Sequence, residues 1–233
     1  MRDLVNGQSG SLVRITHGDG AAAHRPWPDR ATAGIRSGQG TRRAPPRITL
    51  SAMAIRFFVG HGASGNAASM GAHVAGLRRR GIDAEAIDLP LKKAELAVVA
   101  LRAIVPDRPD ADGVPIAVGG QSYGGRVASL AAAEPDTEYA ALVFFSYPLH
   151  APGARDAPAK AAERTSHWPA IRCPVLLLSG ESDPMARLDL LRGAVPQLRQ
   201  AELVTYPGLG HTLKPVLDDA LDRTARFLEA LGS

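Results

Sequence analysis

Past position 54 the apolar residues fall into short runs that alternate with stretches of helical spacing. The runs Ile55–Val59, Pro115–Gly119, 141–147, Pro174–Ser179 and 201–206 have the length and near-continuous apolar character of buried strands, and 83–88 reads as a further strand. Between them, 66–80, 92–104, 124–133, 186–195 and 214–231 read as helices. In the first helix Ala67, Met70, Val74 and Leu77 share a face. Arg78, Arg79, Arg80 and Gly81 then end it, placing cations at the negative end of the helix dipole and a glycine stop after them. Strands that are apolar on both sides must be covered on both sides. The pattern therefore predicts an α/β fold, an open and mostly parallel doubly wound sheet with helices on each face. Ligands in such sheets sit beyond the carboxyl ends of the strands, so the loops that follow the strands are where chemistry belongs. The Pro- and Ala-rich stretch 150–170 reads as a connection. The whole link 148–173 is 26 residues, too short for a large cap domain.

Residues 1–52 lack both periods. Gly, Pro, Arg and Ser recur there, and only 11–15 and 47–50 have the character of short strands. This composition buries too little apolar surface to offset the entropy of ordering, so the expectation is a poorly ordered basic extension ahead of one folded domain, 53–233. The charge supports that division. The extension holds eight Arg and three Asp, a net of +5, whereas the remaining 19 basic and 20 acidic residues leave the body at −1. The body thus gives no electrostatic reason to expect nucleic acid or membrane binding. No run of about 18 apolar residues is present for a spanning helix. The single Cys173 excludes a disulfide framework or a thiolate metal site within one chain. The first residues have no apolar run of signal-peptide length, and the expected compartment is the cytoplasm.

Three strand ends carry a coherent set of residues. After the third strand comes Gly120-Gln121-Ser122-Tyr123-Gly124, a G-x-S-x-G turn between a strand and a helix. A serine in such a turn is held in a strained conformation that tolerates only small neighbours two positions away, and the amides that open the helix favour developing negative charge. Asp183 follows the fifth strand in Gly180-Glu181-Ser182-Asp183-Pro184, and His211 follows the sixth in Gly208-Leu209-Gly210-His211. Singly these read as a loop serine, a helix-capping aspartate and a surface histidine. In order, at successive strand ends, they read as nucleophile, acid and base: His211 takes the Ser122 proton and Asp183 orients the imidazole. Glu181 is the rival acid, but Asp183-Pro184 suits a turn and helix start better.

The first strand ends in Gly60-His61-Gly62-Ala63-Ser64-Gly65, which has two readings. In one, the Ala63 amide joins that of Tyr123 as an oxyanion hole. In the other, the same residues are a G-x-G-x-x-G dinucleotide loop with Asp88 as the ribose-binding acid of an NAD(P)-binding enzyme. The second leaves Ser122, Asp183 and His211 without a role. His73, Cys173 and His167-Trp168 read as packing residues, and Arg126 and Ser129 as anchors of the helix that follows Ser122. No cofactor and no metal is called for.

Together, His61-Gly62-Ala63, Gly119 to Ser129 with Ser122 at the centre, Ser146 to His150, Pro169 to Pro174, Gly180 to Pro184 and Gly210-His211 resemble the α/β-hydrolase superfamily over roughly 55–231. Within it the likeness is to the dienelactone-hydrolase-like branch, most of all to the KANL/Tex family of predicted hydrolases. The resemblance implies a compact α/β-hydrolase fold with Ser122, Asp183 and His211 as catalytic residues. It puts Tyr147 and His150 near a substrate pocket, and His61 joins them as a third candidate for substrate binding. It also implies antiparallel strands ahead of the first parallel one, in a region that is here the weakly patterned extension. Dienelactone hydrolases carry Cys where this chain carries Ser122. The function expected is a serine hydrolase of a small-molecule carboxylic ester or thioester. The alternative of another class is a non-catalytic binding or scaffold protein that retains these residues.

Overall fold

The computed structural model describes residues 11–16, 55–91, 93–110 and 112–231. Seven strands form one sheet: β1 (Ser11–Thr16), β2 (Arg56–Gly60), β3 (Asp83–Ile87), β4 (Ile116–Gln121), β5 (Ala141–Phe145), β6 (Val175–Gly180) and β7 (Gln200–Tyr206). Their spatial order is β1-β7-β6-β5-β4-β2-β3. All neighbours are parallel except β1, which pairs antiparallel with β7 from Ser11–Thr205 to Thr16–Gln200. Within the weakly patterned extension, the run 11–15 with the character of a short strand is thus part of a paired strand. Val13 and Leu12 are exposed, and what holds the strand is backbone pairing to an open edge. Burial calculations from sequence do not see that term. The rest of the segment lies outside the described residues.

Alternation along the strands divides the core in two. Phe58, Val118, Phe144 and Leu177 face one way, toward α2 (Ala94–Ile104), α3 (Tyr123–Ala132), α4 (Ala157–Thr165) and α5 (Leu188–Ala194). Phe57, Val59, Val143, Phe145 and Leu178 face the other way, toward α1 (Gly71–Arg78) and α6 (Leu217–Leu231). Every residue of β5 is buried, as a central strand with both faces covered requires.

Two differences from the expected helices stand out. The first begins as a 3-10 turn over Ala67–Met70, capped by the Asn66 side chain, before α1 proper. The stretch 150–170, read as a connection, contains α4. Its buried residues Ala157, Ala161 and Thr165 are four apart, and Pro158 sits in the first turn where its missing N–H costs nothing. A stripe this small carries almost no hydrophobic signal.

The chain runs from β2 outward to β3 and then crosses back to place β4 on the other side of β2. The loops after β2 and β4 therefore diverge from adjacent strand ends, the place where open α/β sheets form a crevice.

His73 on α1 packs edge-on against Phe145 with ring centroids 5.1 Å apart, and its Nδ1 is buried without a hydrogen-bond partner. Burial lowers its pKa to about 4. Because the unfolded ring titrates near its ordinary value, stability falls as pH drops from about 6.5 to about 4, by up to about 1.4 kcal/mol per pH unit for this ring, less for its partial exposure. His167, also lowered to about 4 chiefly by burial, adds in the same direction. Chemical unfolding of His73→Phe across this range is expected to show a shallower acid limb than the parent protein.

Candidate active site

Ser122 sits between β4 and α3 with φ +49° and ψ −105°, a conformation that an L-residue adopts only under constraint. The constraint comes from both sides. The Ser122 N–H bonds to the carbonyl of Phe145 at 2.9 Å, and the Gly124 N–H bonds to that of His61, also at 2.9 Å. A Cβ on Gly120 or Gly124 would run into the backbone of Gly60. The spacing of the G-x-S-x-G turn is thus dictated by the closeness of β2 to the start of α3.

Asp183 is buried in the turn after β6. One carboxylate oxygen accepts the Met185 N–H at 2.8 Å, and the other accepts the His211 Nδ1–H at 2.8 Å. That bond fixes the ring as an Nδ1–H tautomer whenever it is neutral, leaving Nε2 as an acceptor. The approach depends on Gly180, where a Cβ would strike the carbonyls of Leu209 and Gly210 in the loop that carries His211. Glu181 is engaged elsewhere, accepting from the Thr205 hydroxyl at 2.8 Å. Ser122 forms no hydrogen bond to His211 among the described residues; such contacts are often loose until substrate binds.

Ser122 lies on an open cleft of about 830 Å³, with Ala63 and Tyr123 beside it. Pro148 and Met185 line it with apolar surface. Lys93, Glu95 and Leu96 come from the start of α2, Arg126 from α3, and Lys160, Glu163 and Arg164 from α4. Glu95 accepts from Arg126 Nη2 at 2.7 Å. Its carboxyl is held below the usual range, first by the backbone N–H at the start of its own helix and then by that arginine.

The three residues expected to bind substrate are turned inward instead, and none lines this cleft. His61 Nδ1–H donates to the Gly62 carbonyl at 2.8 Å while Nε2 accepts the Leu89 N–H at 3.0 Å, so the ring ties the loop after β2 to that after β3. His150 does the same between Ala151 and Arg187. The Tyr147 hydroxyl donates to the Arg164 carbonyl at 3.0 Å and lies 3.2 Å from Ser129 Oγ, and burial pushes its pKa up. Each is a polar group the interior must satisfy, and backbone partners do so. Asp88 accepts the Ala67 N–H at 2.6 Å, which spends the acid of the dinucleotide reading on a helix start.

Sequence reasoning missed the charged wall. Lys160, Glu163 and Arg164 lie in the stretch read as a connection, and Lys93 and Glu95 carry no mark beyond their place at a helix start. Arg126 was read only as an anchor.

A sequence profile of the alpha/beta hydrolase domain matches residues 59–231. The chain belongs to the alpha/beta hydrolase family. No curated protein matches it by sequence. Among solved structures, this hydrolase is similar to the Paleococcus ferrophilus monoacylglycerol lipase, with a TM-score of 0.63 and 16% identity over 76% of this chain and 94% of that one. It is similar to Est1E from Butyrivibrio proteoclasticus, solved with ferulic acid bound (TM-score 0.56, 20% identity, 74% and 88%). It is also similar to a dienelactone hydrolase from Anabaena variabilis (TM-score 0.52, 24% identity, 77% and 85%). At these identities the likeness is one of fold.

Two glycine substitutions separate the close approach from ordinary helix chemistry. Gly124→Ala forces α3 away from Gly60 and is expected to cost about 3 kcal/mol or more in urea unfolding. Gly193→Ala, on the exposed side of α5 with nothing within 4 Å of the added carbon, is expected to gain about 0.5–1 kcal/mol.

Proposed function

We propose that the protein is a serine hydrolase that cleaves a carboxylic ester or thioester through an acyl-enzyme. The observation that carries this reading is the strained Ser122 backbone at the head of α3, in the lining of the cleft. Strain of this kind persists only where the surrounding structure enforces it, and here it falls on a serine that lines the cleft. The Asp183–His211 bond supports the reading, because it prepares Nε2 to accept a proton.

In this mechanism Ser122 Oγ attacks the ester carbonyl as His211 Nε2 takes the hydroxyl proton. Asp183 holds the imidazolium, and the oxyanion rests on the amides of Ala63 and Tyr123. The tetrahedral intermediate collapses, and His211 returns the proton to the departing alcohol or thiol. Water, deprotonated by His211, then attacks the acyl carbonyl and frees the carboxylic acid and Ser122. The substrate is a small molecule, since the cleft is open, its walls come from α2, α3 and α4, and the 148–173 link is too short for a large cap domain, which suits short or flexible acyl groups. We also place the chain nearest the KANL/Tex branch of its family, on the residues around Ser122 and His211, and in the cytoplasm.

The test is hydrolysis of p-nitrophenyl esters from acetyl to dodecanoyl, run with fluorophosphonate labelling. The parent protein is expected to label and to turn over the shorter esters. Ser122→Ala, folded by circular dichroism, is expected to do neither, and His211→Ala to lose about 10³-fold or more in kcat/KM. Hydrolysis retained by Ser122→Ala, or a parent protein that does not label, overturns the reading.

A further inference from the structure

The residue that stands out in the cleft is Arg126. It lies one turn into α3, its N–H bonded to the Ser122 carbonyl at 3.1 Å, and its side chain is only 16% exposed. One prong of its guanidinium, Nη2, meets Glu95. The other, Nη1, is buried and has no acceptor. A buried charged donor without a partner is costly, and an anchoring role for Arg126 accounts for only the first prong.

A second guanidinium faces the same space. Among the described residues the Arg164 guanidinium of α4 forms no ion pair, and its one hydrogen bond is a long 3.3 Å contact to the Pro148 carbonyl. Burial, and then the neighbouring Arg126, hold its pKa below the ordinary arginine value. Two cations are thus kept close together and partly desolvated. With Lys93 and Lys160 against Glu95 and Glu163, the cleft walls carry four cations to two carboxylates, within a body whose own charge is −1. Glu95 is paired with Arg126 and Glu163 with Lys160, which leaves the wall net positive, and such a wall draws an anion toward it.

We propose that this wall is a subsite for an anionic oxyacid group, a carboxylate or a phosphate, carried by the substrate and held by the guanidinium groups of Arg126 and Arg164. The inference rests on the reading of Ser122 as nucleophile: the ester to be cleaved lies at Ser122 and the anionic group lies toward α4. A forked guanidinium with one prong already tied down is pre-oriented for such a group.

Two measurements test it. The first compares kcat/KM for mono-p-nitrophenyl glutarate with that for p-nitrophenyl pentanoate, an uncharged ester of the same acyl length. The parent protein is expected to favour the anionic ester about tenfold or more, with the preference shrinking in 0.5 M NaCl. In Arg126→Met, and separately in Arg164→Met, the ratio is expected to fall toward one. Arg164→Met serves alone should Arg126→Met not fold. No preference in the parent protein, or a preference unchanged in the folded variants, overturns the proposal. The second measurement does not need turnover: calorimetric titration of Ser122→Ala with glutarate and with propyl phosphate. Binding of either, lost when Arg126→Met is added, supports the subsite, and whichever binds identifies carboxylate or phosphate; binding of neither overturns it. Failure of the hydrolase reading would abolish turnover of both esters and leave this binding intact. Failure of the subsite alone would leave the uncharged ester hydrolysed and neither anion bound.

Discussion

The end of β2 and the start of α3 touch backbone to backbone. Gly120 and Gly124 lie so close to Gly60 that neither has room for a side chain, and the bond from the Gly124 N–H to the His61 carbonyl closes the contact. This approach brings the loop after β2, with Ala63, beside the turn that carries Ser122. It also forces that turn. With Gly124 pressed on β2 and the Ser122 amide bound to β5, the serine is left with a backbone conformation that its own chemistry disfavours. The strain persists because two strands and a helix over-determine it.

The Asp183–His211 pair depends on a similar device on the other side of the sheet. Gly180 lets the loop after β7 fold down onto the end of β6, so that an imidazole from one loop reaches a buried carboxylate in the other. Removing a carboxylate from water is expensive unless its oxygens are satisfied. Here the Met185 amide takes one and His211 the other. Parallel strands deliver all these loops to one edge of the sheet, which is how residues 28 to 89 positions apart in sequence come to share one region.

Around the cleft the polar groups sort into those the fold has used and those it has not. His61, Tyr147 and His150 bond to backbone or to other buried side chains, and they act as struts between loops. Arg126 and Arg164 line the cleft with donor capacity that no protein group among the described residues takes up. The contrast separates groups committed to holding the site from groups left to meet a ligand, although both kinds are equally polar in the sequence.

The order of strands and helices from β2 onward, α4 excepted, the serine turn and the preference for Asp183 over Glu181 were legible in the sequence. Each rests on local physics: an unbroken apolar run must be buried on both faces, and an Asp-Pro pair favours a turn whatever lies far away. Tertiary structure decided the rest. The buried alanines of α4 become a helix face only when there is a core to cover. The strand Ser11–Thr16 exists because β7 offers it an open edge. His61, Tyr147 and His150 turn inward because partners distant in sequence arrive with unpaired backbone groups. The charge of the cleft comes from three helices brought together by the sheet. Hydrogen bonds and charge pairs depend on distance through space. The sequence states which residues can make them, and only the packed chain brings the partners within reach.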